Sequence, residues 1–183
     1  MLLMGFLQWV APPSFDDLVY HRQKMIEQAQ WWRMWSGHLV HWTPYHFALN
    51  ALGLLVWVLL CPRRWTLTQW IVILAWLGGG VSLWLLLVQP DMIRYAGFSG
   101  VLHGLFLMGL VPQAARRDRI ALLCLLYLVV KIIWEQALGV PLSDAERIGA
   151  AVATDAHLAG VLAAVMLLLG GHYKQQGLAA RRV

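Results

Sequence analysis

Charge is scarce in this chain. Only 13% of its 183 residues are Asp, Glu, Lys or Arg, while 60% are apolar and the mean hydropathy is +0.62. A soluble domain of this size has no interior large enough for so much apolar surface, so lipid is the expected solvent for most of it. The length leaves no room for a second soluble domain, and no tandem repeat or low-complexity tract is present. Cysteine is nearly absent: Cys61 and Cys124 are isolated, each beside a loop assigned below to the cytoplasm. That excludes a disulfide framework and any cysteine metal motif, and leaves packing as their role. No small-residue cleavage site follows the apolar segment 1–10. Ala11-Pro12-Pro13 ends it instead, which argues against a signal peptide.

What is present is a series of apolar runs at 44–60, 67–88, 98–111, 120–138 and 151–170. Residues 1–13 read as the periplasmic end of a short first helix, residues 14–43 as a polar, Trp-rich outer connector, and 171–183 as a cytoplasmic tail. The expected fold is an all-α polytopic membrane bundle of about six helices in one domain, 1–183. The net charge of +5 does not indicate nucleic acid. Arg63, Arg64, Arg116, Arg117, Arg119, Lys174, Arg181 and Arg182, eight of the fourteen basic residues, follow alternate runs in short segments. That side is expected to be cytoplasmic. Trp31, Trp32, Trp35, Trp42 and Trp65 read as interfacial anchors.

The run at 98–111 is too short to span. Its fourteen residues before Pro112 rise about 21 Å against a core of about 30 Å. If its cytoplasmic end reaches the loop arginines, Ser99 lies at the floor of a depression inside the membrane. Such depth is tolerable only in a protein-lined or water-filled cavity. Ser99 needs a base to become a nucleophile, and His157 is the candidate. Ala153, Ala156, Gly160, Ala163 and Ala164 surround His157, and Gly100-x-x-x-Gly104 offers a matching ridge for close helix approach. Taken singly, Ser99 also suits a helix N-cap and His157 a buried hydrogen-bonding residue. His46 and Asn50 stand one turn apart at the outer end of their run, as donors for an oxyanion or as an interhelical hydrogen-bonding pair.

Four motifs occur in order: Trp32-Arg33 in the connector, His46-Phe47-Ala48-Leu49-Asn50, Gly97-Phe98-Ser99-Gly100 and Ala156-His157-Leu158-Ala159-Gly160. Together they resemble the rhomboid intramembrane serine proteases over about three quarters of the chain. The resemblance implies a Ser99–His157 dyad without an aspartate, with His46, Asn50 and the Ser99 amide at the oxyanion and Trp32-Arg33 as a structural element. It implies supporting roles for Gly97, Gly100 and Gly160. A narrower resemblance, through Tyr95 to Gly104, Lys131 with Trp134-Glu135-Gln136, and Asp155 to Gly160, is to the rhombosortase branch. That branch implies a bacterial inner-membrane enzyme open to the periplasm, sorting exported proteins by cleaving a C-terminal membrane tail with a Gly-Gly motif. The acyl group then passes to water, or to an amine in a transpeptidation. The expected partners are that membrane-anchored substrate and the bilayer, with no cofactor, no metal and no nucleic acid.

His103 departs from the family, which often carries Tyr or Phe four residues after the serine. Stacking on His157 and hydrogen bonding are its expected roles, with competition as the base as an alternative. Asp155 should point away from Ser99, about 200° around the helix from His157. It is expected to be solvated or loop-bonded, or to read the substrate tail. Lys131 and Glu135, spaced i, i+4, are expected to pair with each other as a structural element or a gate. The competing classes are a general rhomboid acting on single-span proteins, a non-catalytic rhomboid-like binder, and a haem protein ligated by some of the seven histidines.

Overall fold

The computed structural model describes residues 4–5, 15–61, 65–141 and 143–180, of which 171–180 by backbone alone. Most of the expected first helix end and the arginines at 63, 64, 181 and 182 lie outside the described residues. Met4 and Gly5 are helical, and Met4 is buried against the main core.

The outer connector folds into short pieces: α1 (Phe15–Leu18), β1 (Tyr20–His21), α2 (Arg22–Gln28) and α3 (Arg33–Ser36). Then come α4 (Pro44–Leu60), α5 (Leu67–Val88), β2 (Arg94–Tyr95), α6 (Ser99–Ala114), α7 (Arg119–Leu138), α8 (Ala145–Ile148) and α9 (Thr154–Ala180). The helix starts follow local chemistry. Thr43 accepts from the His46 amide with Pro44 at the first helical position, Thr66 and Gln69 close a capping box, and Asp118 accepts from the amides of Ile120 and Ala121. Gly139, at φ +64°, ends α7.

α6 is the core helix. Its buried residues, among them Val101, Leu102, Leu105, Met108 and Leu110, face every direction, and it packs most extensively on α9 and then α7. α5 and α7 are long and apolar enough to cross a bilayer. They turn Ile71, Val72, Leu83, Leu123, Leu126 and Ile133 outward, an apolar surface that suits lipid. α4, α6 and the apolar part of α9 (154–170) are shorter.

Some boundaries differ from the sequence-based expectation. Pro112 does not end its helix: α6 continues to Ala114, and in the same turn the Gln113 side chain donates to the Gly109 carbonyl (3.0 Å). The last helix begins at Thr154 and continues to Ala180. Several tryptophans are more than anchors. Trp35 and Trp76 donate to the carbonyls of Ala75 and Ala163, each at 2.9 Å, and Trp57, Trp65 and Trp70 form a ring cluster.

The connector is tied to the bundle by β1, which pairs antiparallel with β2 in the register Tyr20–Tyr95 and His21–Arg94. Buried Arg33 holds it from within. Its Nε donates to Gln30 Oε1 (2.7 Å) and its Nη1 to the carbonyls of Asp16 and Val19 (2.8 Å each). Trp32 is half exposed and reaches the Asp17 carbonyl at 3.4 Å.

Candidate active site

Ser99 is delivered by the three residues before it. Gly97 has φ +129°, and a Cβ there would lie 2.5 Å from His46 Cε1, so glycine is required by conformation and by space. The Gly97 carbonyl accepts from the buried Tyr95 hydroxyl (2.8 Å), and the buried His38 ring lies between it and the Gly78 carbonyl of α5 (3.3 and 2.9 Å), its single N–H in the neutral form donating to one of the two. Burial holds His38 below its ordinary pKa and pushes Tyr95 up. Phe98 occupies the N-cap position without a side-chain cap. Ser99 is therefore the first residue of α6, and its hydroxyl is not used as a cap.

That hydroxyl meets His157. Ser99 Oγ lies 3.0 Å from His157 Nε2. On the other side of the ring, Nδ1 lies 2.8 Å from Glu135 Oε2, and Glu135 Oε1 lies 2.6 Å from Lys131 Nζ. A carboxylate only accepts, so Nδ1 carries the imidazole hydrogen and Nε2 presents its lone pair to Ser99. Lys131 and Glu135 do pair, as expected, but the pair does not stop there. Sequence reasoning missed the second carboxylate oxygen, although a lysine occupying one oxygen leaves the other to be satisfied. His103 donates from Nδ1 to the Ser99 carbonyl (2.7 Å) and stacks on His157, with ring centroids 4.1 Å apart and planes inclined by 17°.

The close approach is made by small residues. A Cβ on Gly100 would lie 2.7 Å from the Ala156 carbonyl oxygen, and one on Gly104 the same distance from that of Gly160. On Gly160 it would overlap the Gly100 carbonyl group. α6 and α9 therefore touch backbone to backbone, bracketing Ser99 and His157.

A cavity of about 290 Å³ opens over the pair. Ser99, His103, Lys131 and His157 line it together with His46 and Asn50. Asn50 donates one amide hydrogen to the His46 carbonyl (3.1 Å), which leaves it a second, and His46 Nδ1 is buried without a hydrogen-bond partner among the described residues. Thr43, which caps α4, also donates to the carbonyls of Arg147 (3.0 Å) and Ile148 (3.2 Å), fixing this end of α4 against the α8 loop. Asp155, in the first turn of α9, is half-buried and is not among the cavity's lining residues.

His103, Glu135 and His157 each bring one metal-ligating atom within 4.8 Å of the others. The two rings are stacked, however, so their in-plane lone pairs run side by side instead of converging on one ion. Both Nδ1 atoms already donate. The arrangement fits proton transfer better than tetrahedral ligation.

The chain matches the family model of the Rhomboid domain over residues 28–174, well over half of its length. No curated protein matches it. No solved structure does so either. The matched segment runs from the connector through α9, so the chain belongs to the rhomboid family of intramembrane proteases.

Proposed function

We propose that this chain is an intramembrane serine endopeptidase in which Ser99 is the nucleophile and His157 the general base and acid. The observation that carries this reading is the 3.0 Å contact between Ser99 Oγ and His157 Nε2 at a cavity that is also lined by His46 and Asn50. Ser99 Oγ attacks the scissile carbonyl carbon while its proton passes to Nε2. The oxyanion is received by the Asn50 amide, the His46 ring and the Ser99 backbone N–H at the free N-terminus of α6. As the C–N bond breaks, His157 gives its proton to the leaving amine, which leaves an ester on Ser99. Water then attacks this ester, losing a proton to His157, and Ser99 regains a proton as the new carboxyl end departs. His103 supports the ring by stacking, and Gly97, Gly100 and Gly160 set the approach. Trp32-Arg33 holds the connector.

The substrate we assign is a membrane-anchored exported protein with a C-terminal transmembrane tail bearing Gly-Gly. Two adjacent glycines destabilise a helix by roughly 1 kcal/mol each and so expose the scissile carbonyl. A cavity of about 290 Å³, rimmed by Ala150, Ala151 and Ala153, also suits small side chains. The protein is placed in the bacterial inner membrane as a multi-pass bundle of about six helices. The basic loop at 116–119 lies at the opposite end of α6 from Ser99, which supports a cavity open to the periplasm. Asp155, in the first turn of α9 and outside the cavity, is available to the part of the substrate that precedes the membrane tail.

The test is cleavage in proteoliposomes of a tail carrying Gly-Gly beside the same tail carrying Leu-Leu. Cleavage at or next to Gly-Gly alone is expected. Equal cleavage of both would favour a general rhomboid acting on single-span proteins, and cleavage of neither a non-catalytic binder.

A further inference from the structure

We propose that Glu135 is the positioning residue of His157, so that the proteolytic machinery is a three-member chain, Ser99–His157–Glu135, with Lys131 balancing its charge. This rests on the reading of Ser99 as nucleophile and His157 as base. The contacts run in sequence: 3.0 Å from Ser99 Oγ to Nε2, 2.8 Å from Nδ1 to Glu135 Oε2, and 2.6 Å from Glu135 Oε1 to Lys131 Nζ. The Glu135 side chain is 1% exposed, so its charge has to be neutralised by neighbours and not by water.

If Glu135 served only Lys131, either carboxylate oxygen would do and the imidazole would need no part in it. Instead each oxygen has its own partner. The bond to Oε2 selects the Nδ1–H tautomer, the one in which Nε2 can take the Ser99 proton. The His103 stack blocks rotation of the ring out of that plane. When Nε2 takes the proton, the positive charge develops 2.8 Å from a carboxylate, as in the hydrolytic triads of soluble enzymes. Lys131 Nζ, 3.4 Å from Nδ1, opposes that charge, and its distance to Oε1 is shorter. Its contribution is to keep Glu135 ionised in an apolar setting. The acid and its counter-ion come from α7, the base from α9 and the nucleophile from α6, so the chain exists only in the assembled bundle.

The experiment measures the rate of fluorophosphonate labelling and the melting temperature in detergent for wild type, Ser99→Ala, Glu135→Gln and the double variant Lys131→Met with Glu135→Gln. Glu135→Gln should label about a hundredfold more slowly or worse, because an amide supports the wrong tautomer. It leaves the half-buried Lys131 without a charged partner, so it should also melt earlier. The double variant removes both charges, so its melting temperature should recover while its labelling stays slow. Recovery of wild-type labelling in the double variant would reduce Glu135 to a partner for Lys131 and overturn the proposal. A wild type that does not label, or a Ser99→Ala variant that does, would instead strike the serine–histidine reading itself. Imidazole ¹⁵N shifts of folded wild type, assigned against His157→Ala, give a check independent of variant folding. Nδ1–H is expected, and Nε2–H would overturn the proposal.

Discussion

Gly160 of α9 and Gly100 of α6 meet backbone to backbone, and a Cβ on Gly160 would overlap the Gly100 carbonyl group. Ser99 is the residue before Gly100, and His157 lies one turn before Gly160. The contact between two glycines therefore sets the distance between the two reactive side chains.

Gly160→Ala should force the helices apart. Overpacking of this kind costs about 1–3 kcal/mol or more, and a shift of about 1 Å at a reacting pair costs about a hundredfold in rate. A lowered melting temperature together with near-complete loss of fluorophosphonate labelling is the expected result. Wild-type labelling would show that the approach of α6 to α9 does not control the site.

Asn50 offers a sharper separation of binding from chemistry. If it donates to the oxyanion, Asn50→Ala should lower kcat about 10²–10³-fold with KM little changed. Asn50→Asp keeps the size but presents only acceptors when ionised, and should be no better. Peptide-cleavage kinetics in detergent decide this. A rise in KM with unchanged kcat would make Asn50 a packing or substrate-binding residue.

His41 ties the connector's stability to pH. It is buried, neither ring nitrogen has a hydrogen-bond partner among the described residues, and it packs edge-on against His46 and Phe47. Burial, with a smaller repulsion from His46, pushes its pKa down from 6.5 to about 3. The unfolded chain therefore binds a proton that the folded one refuses. The His41 contribution is fully present above pH 6.5, is lost progressively as pH drops below it and levels off near 3. His41→Phe keeps an aromatic ring, removes a buried orphan N–H worth about 1–3 kcal/mol and removes the titration. Its melting temperature should be higher than that of wild type and less dependent on pH across that range. An unchanged pH dependence would assign it to other groups.

The small residues at 100, 104, 156 and 160 are readable from the chain because close helix contact in lipid has few other solutions. Ser99 and His157 can be named as candidates for a similar reason, since a hydroxyl and an imidazole inside apolar runs demand explanation. Glu135 is different. Its i, i+4 lysine accounts for it within its own helix, and nothing local says that its second oxygen reaches α9. The two-residue strands β1 and β2 are too short for any alternation to announce them, and their register depends on the connector folding back over seventy residues. Pro112 reads as a stop because proline breaks the backbone ladder. That the Gln113 side chain bonds to the Gly109 carbonyl there is a matter of three-dimensional fit.

The central claim is that Ser99 is a nucleophile activated by His157. The most direct measurement is covalent labelling of the detergent-purified protein by a fluorophosphonate, with the modified peptide located by mass spectrometry. The account predicts one adduct, on Ser99, absent from Ser99→Ala and lost or severely slowed in His157→Ala. An adduct elsewhere, or labelling that survives Ser99→Ala, would contradict it.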